Sequence, residues 1–122
     1  MACETIKMEI SANPDFVSII RLTTSGIANK IGFSIDDIED MKVAVSEACT
    51  NAIKHSDDKS VSITYTILEN GLDIEIKDNG KGCKAINYGF GLKQMVERVS
   101  QIRGDINFYS ENGFTTEIKI PL

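Results

Sequence analysis

The sequence predicts an α+β fold of two layers, a mostly antiparallel sheet of about five strands covered on one face by three helices. Three observations predict it. Short runs that alternate apolar and polar residues recur five times, the tripeptide Glu-Asn-Gly stands between two pairs of them, and three longer stretches repeat their apolar residues at helical spacing.

Each element has a local reason. Residues Thr5 to Ile10 alternate, with Ile6, Met8 and Ile10 on one face, as a half-buried strand does. Asn13 then caps, and Pro14 suits a first helical turn that needs no N–H from it, so a helix is predicted from about Asp15 to Lys30, ending near Gly32. Ser34 is the next N-cap, followed by Asp36, Asp37 and Glu39 where the helix dipole favours negative charge; that helix runs to about His55.

Two strands follow, through Val61, Ile63, Tyr65, Ile67 and through Leu72, Ile74, Ile76, joined by a hairpin turn at Glu69-Asn70-Gly71. Their other positions are mostly Ser, Thr, Asp, Glu and Lys. The irregular stretch DNGKGCKAINYG, Asp78 to Gly89, precedes a third helix from about Gly91 to Ile102. Strands at about Asp105 to Ser110 and Thr115 to Ile120 close the chain around a second turn at Glu111 to Gly113.

With 122 residues and 42% hydrophobic content, the whole chain, 1–122, reads as a single domain with one core. The net charge of -5 and the scattered lysines argue against a nucleic-acid surface, which needs clustered basic side chains. No stretch has the layout of a signal peptide or the roughly 20 apolar residues of a membrane span, so no membrane is expected and a cytoplasmic location is. Cys3, Cys49 and Cys83 form no CxxC pair and read as free thiols, with Cys49 in the core.

The second helix carries the first chemical signal. At about 100° per residue, Ile38, Met41, Val45, Ala48, Cys49, Ala52 and Ile53 share one apolar arc, while Glu47, Asn51, Lys54 and His55 cluster opposite it. A solvated helix face is the plain alternative. Asn51 is the awkward member, because asparagine prefers caps and turns to a helix interior. Its carboxamide oxygen suits a Mg²⁺ ion that keeps most of its waters and takes other oxygens from phosphates. Glu47, one turn earlier, is then placed to hold or deprotonate a hydroxyl nucleophile.

The irregular stretch supplies the rest of a nucleotide site. Asp78 continues the parity of Leu72, Ile74 and Ile76, so its carboxylate emerges on the helix-facing side, where the amino group of a base is a suitable donor. Gly80 and Gly82 allow close approach of the backbone to a ligand. Gly89 and Gly91 flank Phe90 at the start of the third helix, whose free N–H groups favour phosphate.

The order of an ExxxN helix, a strand hairpin, DxGxG, a GxG helix and a terminal hairpin resembles the GHKL ATPase superfamily and its Bergerat fold over nearly the whole chain. Within it, the segment Ala12 to Ser56 is similar to the bacterial anti-sigma factor serine/threonine kinases of partner switching. The resemblance implies an ATP pocket between helices and sheet, with Asn51 on Mg²⁺, Glu47 as candidate base, and Asp78 on the adenine amino group. It also implies a phosphate lid shaped by Gly80, Gly82, Gly89 and Gly91, with Lys54 and His55 beside the site. Thr116, core-facing by strand parity, is the adenine-side threonine; Thr115 is not. The implied partners are a sigma factor and an anti-anti-sigma protein of the STAS type, and a homodimer is the implied assembly.

The sequence departs from that family in two places. Only Cys83 to Tyr88 separate the glycine pairs, with no arginine among them, leaving Lys81, Lys84, Lys54 or Lys93 to meet the phosphates. The usual Gly-Thr before the last strand reads Gly113-Phe114-Thr115-Thr116. Two other readings stay open: an ATP-binding lobe that serves a separate histidine-kinase component, which NAIKHS and Glu97 to Ser110 resemble, and a non-catalytic module that sequesters a sigma factor.

Overall fold

A computed structural model describes residues 3–55, 60–78, 90–109 and 113–122 of the chain. Strand β1, Glu4–Ser11, leads through a single 3-10 turn at Pro14–Phe16 into helix α1, Val17–Ile31, and then α2, Ile35–His55. The hairpin β2, Ser60–Leu68, and β3, Gly71–Asp78, is followed by α3, Phe90–Gln101, and by β4, Asp105–Tyr109, and β5, Thr115–Pro121.

The predicted α+β sandwich is what the chain forms. The strands make one sheet in the order β1-β2-β3-β5-β4, and every pairing is antiparallel. β5 therefore returns between β3 and β4, which leaves β1 and β4 as the two edges. One face of the sheet carries Ile10, Val61, Ile63, Tyr65, Leu72, Ile74, Ile76, Ile118 and Ile120, all buried, and α2 packs on β2 and β3 while also touching α1 and α3. Burying a side chain of this size contributes about 1.5–3 kcal/mol relative to leaving it in water, so this face decides where the helices lie. The opposite face, with Lys7, Thr64, Glu75, Glu117 and Asn107 in one cross-strand row, meets solvent.

The caps act as read. The Asn13 side chain accepts from the Asp15 N–H at 2.9 Å, and the Ser34 hydroxyl accepts from the Asp37 N–H at 3.1 Å. Two local expectations are corrected. The first turn after Pro14 is 3-10, so α1 starts at Val17 and not near Asp15. Gly71 is not a turn residue but the first residue of β3, opposite Leu68; only Glu69 and Asn70 turn. Glycine is required there by close approach, because a Cβ would sit 2.6 Å from the Ile120 carbonyl oxygen. In α1, Ile20 is buried against the sheet, whereas Ile19 and Leu22 face solvent.

Cys49 is buried in the core as expected, and burial pushes its thiol up to about 12, which leaves it an inert apolar group. Cys3 is exposed, and Cys83 lies outside the described residues.

Candidate functional site

Helix α2 is divided lengthwise. Its sheet-facing side buries Met41, Ala44, Val45, Ala48, Cys49 and Ala52, and this apolar side holds the helix in one rotation about its axis. That rotation leaves Glu47 and Asn51 half-buried, at the margin between core and solvent, with Lys54 exposed beyond them. A fully solvated stripe, the plain alternative, would show all three exposed. His55 is the last residue of α2.

Asp78 ends β3 on the helix-covered face, as its parity predicts, and is 1% exposed. Val61 of β2 lies opposite it on one side. On the other, the Asp78 N–H donates to the Phe114 carbonyl at 3.1 Å. Thr116 pairs with Ile76 one step further in and is 2% exposed, so Asp78 and Thr116 occupy the same buried face two residues apart along the ladder. Thr115 takes the other face, paired with Lys77.

The structure thus brings Glu47 and Asn51 to one side of α2 and Asp78 and Thr116 to the sheet that α2 covers. Gly91 is the second residue of α3, a helix whose first turn carries no acidic residue, in contrast to Asp36 and Asp37 in the first turn of α2. Among the described residues, therefore, no acidic side chain of its own first turn compensates the positive end of α3. Lys93, in the same turn, is exposed. Gly80, Gly82 and Gly89, with Lys81 and Lys84, lie outside the described residues.

Among the described residues no cluster of three His, Cys, Asp or Glu side chains forms a ready metal cage. The donors present, a carboxamide and a carboxylate on a half-buried helix face, fit an ion that brings its own waters and shares phosphate oxygens, which is the habit of Mg²⁺. Two cavities among the described residues lie elsewhere. One of about 240 Å³ is bounded by Asn70, Asp73, Arg103 and Lys119, and one of about 230 Å³ runs between α1 and α2 beside Ile35 and Lys42. On the outer sheet face, burial pushes the Asp73 carboxyl up, opposed by Lys119 across the ladder and reinforced by Glu117.

Sequence reading missed the aromatic pair beside Asp78. Phe114 and Phe108 stack with centroids 5.9 Å apart and planes at 20°. Both residues have core-facing parity, which was the available signal; nothing local says that two strands would bring the rings together.

Comparison with known proteins agrees with this fold. The family described as Histidine kinase-like ATPase domain matches residues 10–90. The serine-protein kinase RsbW of Bacillus thuringiensis (strain Al Hakam) is 50% identical over 80 residues, which are 63% of this chain and 50% of that protein. The chain thus spans about half the length of the first curated relatives it matches. The serine-protein kinase RsbW of Bacillus licheniformis is 38% identical over 130 residues, covering 99% of this chain and 80% of its own length. Among solved structures, the RsbU and RsbW domains of a Mycobacterium tuberculosis protein superpose with a TM-score of 0.72 at 17% identity, covering 97% of this chain and 33% of that one. The histidine kinase domain of an Erythrobacter litoralis blue-light activated histidine kinase gives 0.65 at 20% identity, with 93% and 62% covered. At those identities the likeness is one of fold.

Proposed function

The chain belongs to the histidine kinase-like ATPase domain family, and from that premise we propose that it is an ATP-dependent anti-sigma factor that phosphorylates a serine or threonine of an anti-anti-sigma partner. The observation that carries the reading is the buried Asp78 at the end of β3 beneath the helix that presents Glu47 and Asn51. A strand-end carboxylate at 1% exposure, on the face that α2 covers, is in a position to accept from the amino group of a base. The relatives named serine-protein kinase RsbW support the activity. The partners follow the likeness of Ala12 to Ser56 to the partner-switching kinases.

In this reading one domain spans residues 1–122. Asp78 accepts the adenine amino group, with Thr116 beside it. Asn51 holds Mg²⁺, which supplies charge neutralisation at the phosphate oxygens when bound. Glu47 takes the proton of the attacking hydroxyl, and its half-buried position keeps it on the pocket side of α2. Lys54, His55 and the first turn of α3 at Gly91 flank the phosphates, under a lid containing Gly80, Gly82 and Gly89. A sigma factor and a STAS-type protein are the proposed partners, the assembly a homodimer, and the location cytoplasmic; no described helix is long and apolar enough to cross a membrane.

The test is transfer of labelled phosphate from ATP with Mg²⁺ to a candidate anti-anti-sigma protein. Acid-stable label on that partner is the expected result. Acid-labile label on a histidine would instead support a lobe serving a histidine kinase, and nucleotide binding without transfer would leave a sequestering module.

A further inference from the structure

The base end of the proposed pocket has a wall that no motif assigns. Asp78 and Phe114 are cross-strand neighbours: their backbones share the 3.1 Å hydrogen bond, and the register, with Ile76 opposite Thr116, sets both side chains on the helix-covered face. The Cβ atoms of such neighbours lie about 5 Å apart. The other flank of Asp78 is Val61, which is fully buried. On this face the Asp78 carboxylate is thus flanked by Val61 and Phe114. Phe114 does not yield easily, because its ring is 8% exposed and stacked on Phe108.

We propose that Phe114, braced by Phe108, determines which purine the site accepts. This rests on the nucleotide-binding reading above. A carboxylate alone does not select adenine: guanine offers it two parallel donors, N1–H and the 2-amino group, whereas adenine offers one amino group. Two parallel N–H bonds to a carboxylate are the stronger arrangement, so Asp78 unaided favours the wrong base. Selection for adenine needs an element that limits the approach. A rigid aromatic ring on one flank does this, since it removes the lateral room that the two-donor edge of guanine needs while leaving room for a single amino group. Discrimination by such steric exclusion is worth about 10- to 200-fold for a small group.

The experiment is calorimetric titration of the full chain, wild type and Phe114→Ala, with ATP and with GTP in the presence of Mg²⁺, alongside thermal unfolding. Wild type is expected to prefer ATP, and Phe114→Ala is expected to shift the ATP:GTP affinity ratio toward GTP by about tenfold or more. Phe114→Val, which keeps a strand-forming apolar residue, is the second variant should alanine fail to fold, with the same direction expected. A ratio that stays at the wild-type value in the folded variant, whether both affinities hold or both fall together, overturns the inference while leaving the nucleotide site intact. A wild-type chain that binds no adenine nucleotide overturns the site itself.

Discussion

The hydroxyls of Thr24 in α1 and Tyr65 in β2 lie 2.8 Å apart, and neither residue is exposed to solvent. The Thr24 hydroxyl also donates to the Ile20 carbonyl at 2.8 Å, so the arrangement that satisfies both groups has Tyr65 donating to Thr24. This pair ties the first helix to the sheet at one register. Thr24→Val is expected to cost about 1–3 kcal/mol, because the Tyr65 hydroxyl keeps only a 3.4 Å contact with the Ile20 carbonyl, and Tyr65→Phe about 1 kcal/mol. The double variant is expected to cost less than the sum of the two. Urea unfolding of all four proteins measures this, and strict additivity would show that the hydroxyls do not interact.

Alkaline stability follows from two buried acids. Burial pushes Cys49 from its ordinary 9.0 to about 12 and Tyr65 from 10.0 to about 12. Both groups are raised in the native state, so the unfolded chain releases their protons first. Their contribution is complete below pH 9 and is lost as pH climbs toward 12, at up to about 1.4 kcal/mol per pH unit for each group. Cys49→Ala is expected to flatten the decline between pH 9 and 10, where Tyr65 has barely begun to differ. Unfolding midpoints across that interval decide the point; a profile parallel to the parent's removes Cys49 from the account.

Asn51→Ala is expected to abolish Mg²⁺-dependent ATP binding while the chain stays folded, since a half-buried polar residue on a helix margin contributes within about 1 kcal/mol to stability. Calorimetry with an unchanged affinity would count against the metal role.

Glu47→Ala is expected to retain nucleotide binding and lose transfer to the protein substrate by about 10²-fold or more. Binding and single-turnover transfer measured on one preparation separate the two effects. Undiminished transfer would remove Glu47 from proton abstraction.

Arg103 closes α3 with a left-handed φ of 60°, the one non-glycine residue of that kind among the described residues. The glycine comes one residue later: the Gly104 N–H donates to the Val99 carbonyl at 2.9 Å, and a Cβ on Gly104 would meet the Lys119 carbonyl oxygen at 2.8 Å. Arg103→Gly relieves the backbone and is expected to stabilise by roughly 0.5–1 kcal/mol, a rise of several degrees in melting temperature. An equal or lower melting temperature would show that the arginine side chain matters more than its backbone.

What was legible in the sequence was what strand and helix periods encode. Asp78 and Thr116 were assigned to the helix-covered face by counting in twos, and Glu47 and Asn51 to one side of α2 by counting in 3.6, and the structure puts them there. Contacts across the fold were not legible. The partner of Tyr65 stands 41 residues away, and the carbonyl that forbids a side chain at Gly71 comes from the last strand. Glu-Asn-Gly signals a turn, and the turn is there, but its glycine answers to Ile120. Arg103 had no signal, since a left-handed cap is ordinarily read from the glycine that occupies it.

The lengthwise division of α2 has a consequence for dynamics. One element is keel and claw together, because Met41, Val45 and Cys49 anchor the same 21-residue helix that presents Glu47 and Asn51. Opening the proposed claw is therefore expected to disturb the core as well, because both faces share one helix. On the proposed reading, packing defects beneath α2 are expected to weaken nucleotide affinity, and a bound nucleotide is expected to slow exchange in the interior as well as at the surface it touches.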